Sequence, residues 1–193
     1  MIAHNWGETI PGRGDGCAHA QPVIGPYGPQ GELRIVMTPG FSAIETLDAA
    51  GERIALQPME HYNDFCPRAA AVGRAEPPHG WVAGVVSAHG VFCCIGVETC
   101  QDRWRLGIGC DRSAPIGVCV ADVDGDGRDE FLIGLPDGRL LAIAERYREG
   151  RILWAVEFDA AVTDCIAADV LGDGELALVV ETDDGWVRIL RAA

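Results

Sequence analysis

The stretch Asp122-Val123-Asp124-Gly125-Asp126-Gly127-Arg128-Asp129-Glu130 decides the fold of this chain. It has carboxylates at loop positions 1, 3, 5 and 9, and its glycines let the backbone curl so that these side chains converge. Two like charges ~4 Å apart repel by roughly 4 kcal/mol at intermediate dielectric, and a hard cation relieves this repulsion. The loop therefore predicts a Ca²⁺ site, because irregular seven-fold coordination suits calcium better than magnesium. A solvated acidic turn is the alternative.

The residues around this loop predict strands. Gly127 stands at the sixth position that an EF-hand requires, but Ile133 stands at the twelfth, where a bidentate Glu belongs. The flanks 116–121 and 131–134 are short, apolar runs rich in β-branched residues, which favours strand–loop–strand over two helices. The predicted calcium ligands are the side chains of Asp122, Asp124, Asp126 and Glu130 and the carbonyl of Arg128.

The same order of strand, turn and strand recurs along the chain. Equivalent turn glycines stand at 40, 90, 138 and 185, so the periods are 50, 48 and 47 residues. Four short strands per period of this length are typical of β-propeller blades. A β-sandwich would not require a fixed period with the same turn chemistry. We therefore predict an all-β propeller of four blades, each with about four antiparallel strands.

The chain is predicted to form one domain, 1–193. Its N-terminal residues are expected to pair with its last blade. Blade four stops after its third strand, and residues 2–6 have the character of a spare fourth strand that would close its open edge. Four blades can form a small ring alone, two chains can share an eight-bladed ring, or the chain is a section of a longer protein. The predicted blades are about 18–57, 68–107, 116–157 and 163–191.

The acidic loop and its place between the first two strands of a blade resemble FG-GAP or VCBS repeats. These repeats occur in integrin α-chain propellers and in many bacterial surface and carbohydrate-active proteins, and carry a D-x-D-x-D-G-x-x-D loop. Blade three matches it, with Glu130 at the last position. The resemblance implies a calcium-binding propeller at the cell surface or outside the cell.

The other three blades are expected to hold no metal. Blade four keeps two carboxylates of the motif, Asp169 and Asp173. It has Leu171 and Ala177 where further ligands belong. Blades one and two have proline and glycine in place of the carboxylates, so too few oxygens remain to replace the hydration shell of calcium.

Composition favours one globular domain with a substantial core, since 48% of the 193 residues are hydrophobic. No stretch approaches the ~18 uncharged apolar residues of a membrane span. The first residues lack the basic and apolar regions of a signal peptide, although a leader removed from the chain would leave no trace. A net charge of −14 argues against nucleic acid as a partner, since nucleic-acid binding needs basic patches.

The eight cysteines do not form a zinc motif, because no CxxC pair is present. Cys119 and Cys165 lie on the predicted first strands of blades three and four, where cysteine packs as a small hydrophobe. Core packing is the leading interpretation of the cysteines. Disulfides are the alternative, with Cys100–Cys110 as the first candidate.

Two classes of function remain, because the chain shows no nucleophile elbow, phosphate loop or zinc triad. The leading one is a calcium-stabilised binding or scaffold module for a protein or glycan ligand, with a homodimer as one possible assembly. The alternative is a carbohydrate-active enzyme or a fragment of one, similar to rhamnogalacturonan-type polysaccharide lyases. A lyase needs a base, and this chain has no lysine. The only basic cluster near a blade connection is Arg103, Arg105 and Arg112.

Overall fold

The computed structural model describes residues 21–38, 43–58, 67–75, 80–109 and 117–191. Every regular element in these residues is a β-strand, and the strands form four antiparallel sheets. The all-β prediction is therefore confirmed. None of the described segments contains a helix long and apolar enough to cross a membrane.

Blades one and two are four-stranded meanders in which each strand pairs with the next along the chain. The strands of blade one are β1 (Val23–Gly25), β2 (Arg34–Met37), β3 (Ala43–Asp48) and β4 (Arg53–Pro58). The strands of blade two are β5 (Pro67–Arg74), β6 (Trp81–Ser87), β7 (Val91–Gly96) and β8 (Asp102–Gly107).

Blade three is a third four-stranded meander, and blade four shows three strands in the described residues. The predicted fourth strand of that blade, residues 2–6, lies outside them. The strands of blade three are β9 (Val118–Ala121), β10 (Glu130–Gly134), β11 (Arg139–Arg146) and β12 (Glu149–Glu157). The strands of blade four are β13 (Val162–Ala168), β14 (Ala177–Thr182) and β15 (Val187–Leu190).

The core consists of three apolar layers, one between each pair of neighbouring blades. Side chains alternate between the two faces of a sheet. Blades two and three, which each lie between two other blades, therefore contribute both of their faces to the core. The layer between blades two and three contains Phe92, which stacks on Trp104 at 5.2 Å and contacts Phe131 at 5.0 Å between ring centroids. Gly84 makes this approach possible, because a Cβ there would overlap the rings of Phe92 and Phe131.

The blades form an open row in the residues that the structure describes. Successive first strands pack on one another in the order β1, β5, β9 and β13. Blade four makes no extensive contact with blade one in these segments, so they do not form the closed four-bladed ring. The outward faces of the two end blades consequently have no neighbouring blade within the described part of the chain.

Candidate metal centre

The acidic loop connects β9 to β10 and curls as its sequence predicts. Gly125 and Gly127 adopt positive φ angles of 74° and 85°, which residues with a Cβ rarely adopt. The curl is fixed from inside by carboxylates, because Asp122 Oδ2 accepts a hydrogen bond from the Gly127 N–H at 2.8 Å. Asp124 Oδ1 likewise accepts one from the Asp126 N–H at 3.2 Å. Local hydrogen bonds therefore fix the curl of the loop.

Three of the five predicted ligands converge. Oxygen atoms of Asp122, Asp124 and Glu130 all lie within 4.8 Å of one another. Glu130 is fully buried at the start of β10, Asp122 is half-buried and Asp124 is exposed. Asp126 is not in this group, because the guanidinium and the backbone N–H of Arg128 both donate hydrogen bonds to it. The cluster therefore spans the loop from a buried end to an exposed end.

Two carboxylate oxygens of the cluster are buried without a hydrogen-bond donor. They are Asp122 Oδ1 and Glu130 Oε1. The other oxygen of Glu130 accepts a hydrogen bond from the Val123 N–H at 3.0 Å. Leaving a buried acceptor unpaired costs ~1–3 kcal/mol, and more when it is charged. Two buried carboxylate oxygens that accept no hydrogen bond, in one cluster of three acidic side chains, fit a hard cation such as Ca²⁺, which takes oxygen ligands.

Electrostatics at the buried end of the loop oppose the ionisation of Glu130. The pKa of Glu130 is raised from 4.5 to about 7, chiefly by burial and also by the nearby charges of Asp124 and Asp126. The Val123 N–H and the Arg146 guanidinium act in the opposite direction. Without a cation Glu130 is therefore about half protonated near neutral pH, and a bound divalent ion would displace that proton.

Arg146, at the end of β11, is a member of the site that the sequence analysis missed. Its Nη2 atom lies 2.8 Å from Asp124, 3.5 Å from Asp126 and 3.6 Å from Glu130. Two guanidiniums, those of Arg128 and Arg146, thus face the four carboxylates predicted as ligands. With all four ionised, two negative charges remain uncompensated, which matches the charge of one divalent cation.

The equivalent loop of blade four closes without such unpaired oxygens. Asp169 Oδ1 accepts hydrogen bonds from the Gly172 and Asp173 N–H groups at 2.7 and 3.1 Å. Its Oδ2 accepts one from the Gly174 N–H at 2.9 Å. The Asp173 carboxylate is paired with Arg191 at 2.6 Å. Blade four thus keeps the turn of blade three while its carboxylates are satisfied by the protein.

The basic cluster that a lyase would use is engaged in ion pairs. Arg103 makes a bidentate contact with Glu145, with hydrogen bonds of 2.9 and 2.6 Å. Arg105 pairs with Asp102. Arg112 lies outside the described residues. The described part of this cluster therefore gives the lyase alternative no support.

The candidate disulfide Cys100–Cys110 reaches outside the described residues at Cys110. Cys100 itself is buried, and its Sγ lies 3.4 Å from the hydroxyl of Thr46. Cys93 is buried in the layer between blades one and two, where burial raises its thiol pKa to about 12. These two thiols pack as small hydrophobic side chains, as the sequence analysis expected.

Comparison with known proteins supports the fold and nothing finer. No family model and no curated protein matches the chain. Among solved structures, BBS1N in complex with ARL6DN superposes with a TM-score of 0.65 at 17% identity. BamB from Moraxella catarrhalis does so with a TM-score of 0.53 at 16% identity. The computationally designed Ika4 protein gives a TM-score of 0.60 at 14% identity.

The lengths of these neighbours differ. The match covers 93% of this chain but 54% of BBS1N, and 86% of this chain but 52% of BamB. For Ika4 it covers 94% of this chain and 95% of the other. The chain therefore spans about half the length of the BBS1N and BamB chains. Because BBS1N and BamB are propeller-like, the predicted propeller class is confirmed, while the FG-GAP or VCBS resemblance stays a prediction.

Proposed function

We propose that this chain is a protein-binding scaffold module, half of an eight-bladed propeller that a second copy completes, with Ca²⁺ in the loop of blade three. The observation that carries the proposal is an exposed aliphatic row on the outward face of blade four. Row four consists of Ile166, Val179 and Ile189, which lie side by side across β13, β14 and β15. Ile166 and Ile189 are each 54% exposed.

Row four faces away from blade three. The alternate residues of the same strands, among them Cys165 and Val180, are buried in the layer between blades three and four. Because side chains alternate across a strand, row four occupies the opposite face of the sheet. In blades two and three the corresponding second face packs on a further blade. Row four thus occupies the positions that, in blades two and three, contact the next blade.

Blade one carries a matching row at the other end. Row one consists of Ile24, Ile35 and Leu47, which are cross-strand neighbours on β1, β2 and β3. Ile24 is 58% exposed. If row four of each copy packs on row one of the other, the two copies are related by a two-fold axis. Two equivalent interfaces then form, each between one row four and one row one. Burial of apolar area contributes ~25 cal/mol per Å² in favour of this assembly.

The complex of BBS1N with a protein motivates a protein partner, and the partial coverage of BBS1N and BamB motivates a half-ring as the unit. The chain covers about half of BBS1N and of BamB, so a second chain of the same size would complete a match to either. BBS1N was crystallised in complex with ARL6DN, which favours a protein over a glycan as the class of ligand. Row four and Ile24 of row one expose aliphatic surface, whereas Leu47 of row one is already buried. Aliphatic surface is buried by protein more readily than by a hydrated sugar.

Charge placed in row four tests the assembly. We expect the wild type to have a mass of 41.2 kDa in light scattering, twice the 20.6 kDa of one chain. The double variant Ile166→Glu/Ile189→Glu should have the mass of one chain. The matched control is Ile152→Glu, since Ile152 is 44% exposed on the outer strand of blade three. A monomeric wild type, or a folded double variant that stays dimeric, would overturn the proposal.

The calcium part of the proposal rests on the two buried carboxylate oxygens of Asp122 and Glu130 that accept no hydrogen bond. Asp122, Asp124 and Glu130 would hold the ion, and Asp126 with the Arg128 carbonyl are the further predicted ligands. The ion would compensate charge and stabilise blade three, by ~2.7 kcal/mol at a hundred times its dissociation constant.

Calorimetric melting with calcium and with EGTA tests the calcium site. The wild type should melt at a higher temperature with calcium, and Asp124→Asn should lose this difference. Asp173→Asn in the loop of blade four is the matched control and should keep it. A wild-type midpoint that calcium leaves unchanged would contradict the site, whatever the mass measurements show.

A further inference from the structure

Two thiols from different blades lie in direct contact. Cys119 on β9 and Cys165 on β13 have their Sγ atoms 3.5 Å apart, although 46 residues separate them in the chain. The contact joins the first strands of blades three and four, which pack against each other. The Sγ of Cys165 also lies 3.5 Å from the carbonyl oxygen of Leu132, the cross-strand neighbour of Cys119. The contact with Leu132 therefore holds the Cys165 thiol against the backbone of blade three.

The two thiols differ in their access to solvent. Of the five cysteines in the described segments, Cys119 is the only one that is not fully buried. Cys165 is buried behind it, and both the hydrogen bond with Cys119 and burial raise the pKa of the Cys165 thiol. A soluble oxidant therefore meets Cys119 first, and Cys165 lies behind it as a protonated thiol.

We propose that Cys119 and Cys165 form a redox-sensitive disulfide that joins blade three to blade four. A disulfide has an S–S distance of ~2.05 Å, so the sulfurs need to approach by about 1.5 Å, which side-chain rotation and small strand shifts can supply. No assigned function of the chain uses these thiols, and neither belongs to the acidic cluster.

The oxidant is a peroxide, and the reaction proceeds in two steps. Hydrogen peroxide transfers one oxygen to the sulfur of Cys119, which becomes a sulfenic acid, and one water is released. The sulfur of Cys165 then attacks the sulfenic sulfur, the S–S bond forms and the S–O bond breaks. The leaving hydroxide takes the proton of Cys165 as a second water. In total two thiols lose two electrons and two protons, and one peroxide is reduced to two waters.

The bond would constrain blade four, one of the two end blades whose outward face has no neighbour in the described residues. It closes a loop of 46 residues, and a cross-link of that length removes considerable freedom from the unfolded chain. For a chain of this size we expect the melting midpoint to rise by about 5–10 °C. Oxidation would thereby fix blade four, and with it row four, against blade three.

Peptide mapping of the full chain under non-reducing conditions tests the bond. The protein is first reduced, then treated with hydrogen peroxide, and trypsin is used to cleave after arginine. We expect a linked pair of peptides, 113–128 and 152–188, two hydrogens lighter than their sum, which a phosphine reductant separates. Wild-type protein is sufficient for this measurement, so it does not depend on the folding of a variant.

Melting of oxidised and reduced protein tests the effect of the bond. Cys119→Ser should lose both the linked peptides and the rise in midpoint, while Cys100→Ser, at another buried thiol, should keep both. Oxidised wild type without the linked pair, or with Cys119 joined to a different cysteine, would overturn the proposal. A linked pair that leaves the midpoint unchanged would overturn the stabilising role.

Discussion

Replacement of Glu130 by Gln changes stability in opposite directions with and without calcium. Glu130 is fully buried, and its pKa is raised from 4.5 to about 7. The folded protein therefore binds this proton more tightly than the unfolded chain does. Stability that depends on the protonated side chain is complete below pH 4.5 and is lost as pH rises through about 7. At pH 8 metal-free protein thus carries a buried, ionised carboxylate.

The magnitude follows from that pKa. A value of about 7 instead of 4.5 corresponds to ~3 kcal/mol at pH 8, and hydration of the open loop reduces this to about 1–3 kcal/mol. Glu130→Gln keeps the shape and removes the charge, so we expect metal-free variant to be more stable than metal-free wild type by that amount. At pH 5 the two should differ little. With saturating calcium the order reverses, because the variant has lost a ligand.

Urea unfolding, followed by tryptophan fluorescence at pH 5 and pH 8 with EGTA or calcium, measures both effects. Glu175→Gln is the control, because Glu175 is an exposed carboxylate in the corresponding loop of blade four. The control should change stability by less than ~0.5 kcal/mol in every buffer. The reasoning is refuted if Glu130→Gln destabilises the metal-free protein at pH 8, or if the variant keeps the full response to calcium.

Two further predictions concern the packing of the blades. Gly84→Ala should destabilise the protein by about 1–3 kcal/mol in urea unfolding, since its Cβ would overlap Phe92 and Phe131. Gly107→Ala is the control and should cost less than 1 kcal/mol, because a Cβ there meets nothing within 4 Å. Equal losses of stability in the two variants would contradict the packing argument. Deletion of residues 1–8 should lower the melting midpoint or promote aggregation in light scattering. The deletion removes the predicted strand 2–6 and so exposes the edge of blade four that this strand would cover. A truncated protein as stable and soluble as the parent would show that this strand is not a clasp.

The repeat made the architecture predictable from sequence. Turn glycines at a fixed period predicted the blades, and Gly90, Gly138 and Gly185 do adopt positive φ angles of 71°, 88° and 81°. The predicted loop between two strands of blade three is also observed, between β9 and β10. These features were accessible because turn chemistry and strand alternation are local properties of the chain.

Features that depend on packing between distant residues could not be predicted. Arg146 reaches the acidic loop from the end of β11, and the register of that strand is shifted by an irregularity at Ala142 and Ile143. The sulfur contact between Cys119 and Cys165 depends on how two blades approach each other. Ile166 alternates as a core residue does, and only the arrangement of the blades shows that it is exposed. Sequence periodicity identifies an apolar face but not its partner.

Small-angle X-ray scattering of the full wild-type chain tests most directly whether two copies complete the propeller. Forward scattering should give a mass of 41.2 kDa, twice that of one 20.6 kDa chain. The radius of gyration should be ~21 Å, as for a compact particle of two chains, against ~16 Å for one compact chain. A mass of 20.6 kDa with a radius near ~16 Å at every protein concentration would contradict the shared ring.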